Sequence, residues 1–306
     1  KWLDMFLTTN LTYNNTYAKR AIAPDNRFVP YASFVDEQGN GHDISWINMS
    51  DALRTSYENK SIGLPNIGKL NLSYNPQNDF DSGFTKGTSY NTRLLTGVTA
   101  KLLKGLRFEG TYGAVLNNTQ TEIYDDASGY LGQIEIAKMT VTTPALKSFV
   151  PTTGGNYANV NGQRRNWTIR NQFAYDNNWD NYKHQLTAIA GIEIQKQTFS
   201  QAQTRLRGYD LDILSYKPID YNTTSLGLAN TIINTNGTYR VNDIFAQSYL
   251  DTRFRSYYMN GAYTYSGKYT INASTRYDQS NLFGADVAAQ AKPVWSVGGS
   301  WLLSGE

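Results

Sequence analysis

The 306 residues carry 28 Lys and Arg against 25 Asp and Glu, a net charge of +3, too little and too scattered for a nucleic-acid footprint. Charged residues make up 17% of the chain and Cys is absent. Disulfide frameworks and thiolate metal sites are therefore excluded, and the charge falls below the roughly 25% usual in soluble proteins. Asn, Thr, Ser, Gln and 23 Tyr fill the gap. Uncharged polar groups alternating with aromatics suit strands that meet water on one side and something apolar on the other.

Eight segments in chain order show that period-two alternation. In the first, Leu3, Met5, Leu7, Thr9, Leu11 and Tyr13 share a face opposite Asp4, Thr8, Asn10, Thr12 and Asn14, with Phe6 an exception on the polar side. Leu94, Thr96, Val98, Ala100 and Leu102 follow, then Leu106, Phe108, Gly110, Tyr112, Ala114 and Leu116. Next come Trp167, Ile169, Phe173 and Tyr175, and Leu186, Ala188, Ala190, Ile192 and Ile194. Tyr257 to Tyr265, Tyr269 to Tyr277, and Trp295, Val297, Trp301 and Leu303 complete the set. About ten residues at roughly 3.3 Å each, tilted near 40°, span about 25 Å, the apolar band of a bacterial barrel. Aromatics at segment ends, such as Tyr269 and Tyr277, fall where interfacial girdles lie.

Connections alternate in length. Short turns follow the second segment (Leu103-Lys104-Gly105), the fourth (Asp180-Asn181) and the sixth (Gly267-Lys268). Longer links occupy about 15–90, 120–165, 205–254 and 279–293. Compact soluble domains have few such loops, whereas outer-membrane barrels pair short periplasmic turns with long external loops. A soluble β-sandwich also alternates, but the regular alternation of turn lengths and the aromatic-ended apolar faces weigh against it. No stretch reaches the roughly 18 to 20 apolar residues of a membrane helix. The opening Lys1-Trp2-Leu3-Asp4 enters a strand pattern with neither initiator Met nor signal peptide, and Ser304-Gly305-Glu306 stops at a strand end. Both ends read as interruptions of a longer chain.

Tyr257 to Gly284, YYMNGAYTYSGKYTINASTRYDQSNLFG, resembles the barrel hairpin of the SusC/RagA-like, TonB-dependent outer-membrane transporters. The matching positions are Lys268, Tyr269, Arg276, Asp278, Ser280, Phe283 and Gly284; Gln279 and Asn281 depart from the family's usual Gly and Ser. Val294 to Trp301 resembles the strand that follows, Leu103-Lys104-Gly105-Leu106 a family turn, and His184-Gln185-Leu186 to Gly191 a further strand. The resemblance implies an all-β, antiparallel transmembrane barrel of about 22 strands around an N-terminal plug. On that resemblance these residues would form roughly eight of those strands within a single barrel domain, with the plug and the last strands outside the sequence. It also implies TonB-dependent import of oligosaccharides or peptides across the bacterial outer membrane. The partners it implies are outer-membrane lipid, a SusD-like surface lipoprotein, and TonB through the missing N-terminal region.

The residues themselves supply no enzymatic constellation and no cofactor motif. His42 and His184 are the only histidines, and His184 beside the Asp180-Asn181 turn reads as a polar group near the periplasmic rim. Asp36 to Asp43 is acidic and broken by glycine, but it lacks the spacing and terminal Glu of an EF-hand loop and reads as a hairpin turn; Asp125-Asp126 is a weaker candidate still. Arg276 and Asp278, two apart on a lumen-facing side, suit a structural ion pair that pins register. Trp46, Tyr124, Tyr130, Tyr157, Tyr209, Tyr216 and Tyr221 are loop aromatics that could stack on sugar rings or pack against peptides; the alternative is that they fold the loops on themselves. Two rival readings remain: a passive porin or surface adhesin without a plug, and a barrel enzyme needing a nucleophile and base at one rim.

Overall fold

Strands whose two faces differ can satisfy their backbone only by pairing with neighbours of the same polarity pattern. The computed structural model describes residues 2–21, 31, 33–43, 50–60, 68–233, 238–241, 244–283 and 291–303, and in it the eight segments become one antiparallel sheet. Its strands are β1 (Leu3–Lys19), β2 (Gly83–Leu103), β3 (Leu106–Asp126), β6 (Gly155–Trp179), β7 (His184–Tyr209), β8 (Phe245–Tyr265), β9 (Tyr269–Ser280) and β10 (Ala291–Trp301). Each pairs with the next in sequence, a meander. A second sheet joins only β4 (Thr140–Val141) to β5 (Lys147–Ser148), inside a connection.

The register carries the apolar face intact from edge to edge. Met5 pairs with Val98, which pairs with Gly110; Ala114 pairs with Trp167; Ala190 pairs with Met259, and Met259 with Thr275. Every apolar series read from the sequence thus lies on one side of the sheet. Many of its large members are open to the surroundings, Met5 at 70%, Leu11 at 73% and Trp295 at 74%. A soluble sandwich would cover such a face with a second layer; among the described residues none does.

The exception on the polar side has a local cause. Phe6 stands opposite Gly97, and its ring fills the space that a Cβ there would need.

The short turns close one end. Gly105, with φ of 78°, sits where a Cβ would lie 2.5 Å from the Asp176 carbonyl, so only glycine fits that turn without displacement. Asp180 and Asn181 take positive φ in the next, a region Asp and Asn tolerate. The Leu103–Leu106 pair ends level with Tyr175, and β6 runs four residues further before Trp179 pairs with His184. His184 in turn faces Tyr265, and Tyr265 faces Tyr269. Turns held at one height therefore step four residues over four strands. One residue per strand, at roughly 3.3 Å against 4.8 Å between strands, gives a tilt of about 35°, inside the range of outer-membrane barrels.

Strands run longer than the eight ten-residue segments, from 11 to 26 residues. The long connections fold together at the opposite end. A shared core takes Tyr57, Leu70 and Leu72 from the first, Ile136, Met139 and Val150 from the second, and Leu228, Ile232 and Val241 from the third. Backbone bonds tie it: Ile232 donates to Thr140 at 3.0 Å and Thr142 to Asn230 at 3.1 Å. Among the described residues, four helices belong to this cap: α1 (Asp51–Lys60), α2 (Pro76–Asp81), α3 (Tyr130–Lys138) and α4 (Tyr221–Leu226).

Candidate functional site: lumen belt and loop cap

Across the polar face, two adjacent rows of the register collect the charged side chains. One row runs Glu109, Gln172, Gly191, Tyr258 and Arg276; the other runs Thr111, Arg170, Glu193, Ser256 and Asp278. Arg107 bonds Glu109 at 2.5 Å and also Asp176. Gln172 Nε2 donates to Glu109 at 2.6 Å while its Oε1 accepts from the Tyr258 hydroxyl at 2.7 Å. Arg170 holds Glu193, which also accepts from Gln195 at 2.6 Å. Arg276 closes on Asp278 at 2.8 Å and reaches Ser256 on β8 at 3.2 Å. The belt is a polar, internally compensated wall, a surface that water or a hydrophilic solute can pass.

Above it the cap leans over the same face. Glu135 of α3 accepts from Arg207 Nε and Nη2 at 3.0 and 2.9 Å and binds Asn156 of β6. The pair is largely shielded, and Arg207 Nη1 is buried with no hydrogen-bond partner. Between α3 and the sheet lies a cavity of about 430 Å³ bordered by Ile134, Glu135, Lys138, Tyr157, Arg205 and Tyr239. That volume is within the ~300–1,000 Å³ typical of small-ligand pockets. Asp79, buried at the start of the cap, has its carboxyl pushed up by desolvation, which outweighs the opposing pull of Arg20. Asp125, one of the two weaker metal candidates, is held by Arg20 instead, and Asp126 accepts from the Ser128 amide at 2.8 Å.

The predicted aromatics do not converge. Tyr124, Tyr157 and Tyr209, read as loop residues, lie on β3, β6 and β7, because those strands rise well past the apolar band. They stand on the side that continues the apolar face: Tyr17, Phe84 and Tyr124 stack at 5.7 and 5.6 Å, and Tyr157 stacks on Tyr209 at 4.4 Å. Burial and a hydrogen bond to Glu122 push the Tyr157 hydroxyl up to about 12; burial and Asp126 raise that of Tyr124 still further. Tyr130 and Tyr221 open α3 and α4 and pack against the cap core, Tyr130 edge-on to Tyr74 at 5.0 Å. Tyr216 is exposed, and Trp46 lies outside the described residues.

The described motif positions fall on the β8–β9 turn, on β9 and at its end. Lys268 closes the β8–β9 turn, its amide 3.0 Å from the Tyr265 carbonyl, and Tyr269 stacks on Trp301 at 5.9 Å. Ser280 ends β9 and accepts from the Leu282 amide at 3.2 Å. Phe283 ends a single 3-10 turn, and Gly284 lies outside the described residues. Asp36 to Asp43 forms the hairpin turn expected of it, Asp36 accepting from the amides of Gln38 and Asn40 at 2.9 and 2.8 Å. Those bonds, the Asn40 side chain first, hold its carboxyl below the usual range. His184 sits at the rim, stacked flat on Trp179, its Nδ1 2.6 Å from the Tyr263 hydroxyl. Sequence reading missed the Glu135–Arg207 pair and the extent of the belt; charges at alternate strand-centre positions such as Arg170 and Glu193 were its one visible trace.

The described residues form an open, tilted meander with one apolar, uncovered face, a polar opposite face and a folded cap at one end. Neither a protein-family model nor a curated protein matches the sequence. Among solved structures, the RagAB peptide importer in its open-open and closed-closed states is similar at TM-scores of 0.62 and 0.61, with 16% identity over 98% of this chain. The match spans 28% of that protein's chain. The fold of these residues is therefore like that of a stretch of the RagAB importer.

Proposed function

We propose that this chain is part of the barrel domain of a TonB-dependent importer that takes up peptides or oligosaccharides across the outer membrane. The observation that carries the reading is the single apolar face kept in register through eight tilted strands, in a fold similar over 98% of its length to a peptide importer. In the whole protein further strands close the barrel and a plug fills it, so the belt from Arg107 to Asp278 is the wall against which the plug moves. The cap with its cavity beside Tyr157 and Tyr239 is the recognition surface, and a SusD-like lipoprotein closes over it. Tyr216, exposed, is the aromatic best placed to meet ligand, because Tyr157 and Tyr209 stack on each other on the outer side of the strands.

Deletion of the complete gene should abolish growth on a defined oligopeptide or oligosaccharide mixture, and uptake by the intact cell should stop when a protonophore collapses the inner-membrane gradient. Uptake indifferent to the protonophore would instead establish the passive porin.

A further inference from the structure

On the lipid-type face, directly above the apolar band, four cations gather on three strands. Arg165 on β6, Lys196 on β7, and Arg253 and Arg255 on β8 all project to that side, since Trp167 pairs with Lys196, Lys196 with Arg253, and Ile194 with Arg255. The only acid of the described residues among them is Asp251, 2.6 Å from Arg253 and 3.6 Å from Lys196. Arg255 bonds the neutral Gln279 at 2.9 Å, and the exposed Arg165 guanidinium has no acidic partner among the described residues. Four positive charges against one negative leave a surplus of three.

Their height is fixed by the turn row. Arg255 stands ten residues above Tyr265, and Arg253 and Lys196 stand twelve above Tyr265 and His184. At roughly 3.3 Å per residue and about 35° of tilt these are about 27 and 32 Å up, and Arg165, fourteen residues above Trp179, is about 38 Å up, all beyond a band of about 25 Å. Tyr257 and Tyr277, opposite each other at eight residues, mark the band's upper edge. Trp167 and Lys196 line two clefts of about 390 and 520 Å³, the first shared with Arg165 and the second with Arg253 and Arg255. At the same level β2 and β3 present Thr92, Tyr90, Leu116 and Asn118, which are neutral. Higher on that side Lys19 is paired with Asp81 and Lys86 with Glu122. The surplus is therefore local to β6–β8, not a general basic rim.

We infer that Arg165, Lys196, Arg253 and Arg255 form a docking site for the phosphorylated headgroup of an outer-leaflet lipid. Guanidinium groups match phosphate oxygens in pairs, and cations at headgroup height draw anionic lipid. The acyl chains would continue down the Ile169, Ile192 and Ile194 surface, which shares the face. The inference rests on the membrane placement, but a folded, detergent-solubilised protein that binds no phosphorylated lipid would overturn the inference alone.

The test uses the full-length protein, delipidated in a neutral detergent and titrated with bis-phosphorylated lipid A or with its dephosphorylated form, bound lipid being counted by native mass spectrometry. The phosphorylated form should bind at least ten-fold more tightly, and millimolar inorganic phosphate should not displace it. Changing the four residues together to Gln should erase the difference, whereas K19Q/K86Q should keep it. Equal binding of the two lipids, displacement by inorganic phosphate, or an unchanged four-residue variant overturns the site. A second measurement on the unaltered protein covers failure of the variant to fold. Lipid A retention should fall steeply with added salt, and indifference to salt also overturns the site.

Discussion

Tyr258 lies across Gly191, its hydroxyl 2.6 Å from where a Cβ on the glycine would stand. The two residues face each other on β7 and β8, and the ring covers the bare backbone as aromatics do over glycines in curved sheets. From there the hydroxyl reaches Gln172, and Gln172 reaches Glu109. One glycine thus sets the course of a hydrogen-bond chain spanning four strands.

Gly191→Ala should break that chain. The new methyl meets both the ring and the Asn171 carbonyl at 2.8 Å, and overpacking of this kind costs about 1–3 kcal/mol. Urea unfolding of the full protein in lipid, followed by Trp fluorescence, should show the loss. The double change Gly191→Ala with Tyr258→Ser should recover part of it, since the ring is then gone. No recovery would mean that the carbonyl contact, and not the ring, sets the cost.

Charge placed on the two faces should have opposite consequences. Met259 stands six residues above Tyr265 on the apolar side, and Asn260 beside it faces the belt. Met259→Arg puts a cation near mid-band, at a cost of roughly 2–4 kcal/mol in a barrel; Asn260→Arg meets water. The first variant should lower the temperature at which the folded band is lost on an unheated gel, and the second should leave it nearly unchanged. Equal sensitivity of both positions would contradict the membrane assignment.

These two faces were legible because lipid and water enforce alternation only where both are present. Residues 155–166, GNYANVNGQRRN, are polar on both sides, so a strand there reads as loop. β6 begins at Gly155 nonetheless, because above the band water meets either face and the ladder needs no apolar residues. Tyr124, Tyr157 and Tyr209 read as loop residues for the same cause, since they too stand above the band. Pairings were not legible at all: Gly191 and Tyr258 are 67 positions apart, and nothing local in either strand announces the other. The cap core, drawn from Leu72, Ile136 and Ile232 in three separate connections, was hidden for the same reason.

Tyr157 should report on the cap's outer flank through its titration. Its folded value of about 12 lies above the unfolded 10, owing first to burial and then to Glu122. The fold prefers the neutral phenol. The stabilisation is therefore complete below pH 10 and is lost as pH rises towards about 12. Near-ultraviolet difference absorbance should show one late tyrosine step that disappears in Tyr157→Phe. In Glu122→Gln the step should move to lower pH, because the carboxylate no longer opposes ionisation. A step unmoved by either change would detach it from this residue.

The Glu135–Arg207 pair should hold the cap onto the sheet. Glu135 is on α3 and Arg207 on β7, their side chains 14% and 10% exposed, with two bonds near 3 Å. Arg207 has a third buried nitrogen without a partner, so the charge is already incompletely compensated. Glu135→Gln leaves it more so, and breaking one side of a buried pair costs about 3–5 kcal/mol. The sheet beneath is anchored by its own ladder, so the loss should fall on the cap alone. Limited proteolysis should then cut within 127–154 at protease levels that spare the parent, while the folded band on an unheated gel persists. Replacing both residues, Glu135→Leu with Arg207→Met, removes the stranded charge and should restore resistance. If the double variant were cut as readily as the single, the pair's contribution would lie in its geometry, with α3 positioned by the direction of the two bonds rather than by relief of an unpaired charge.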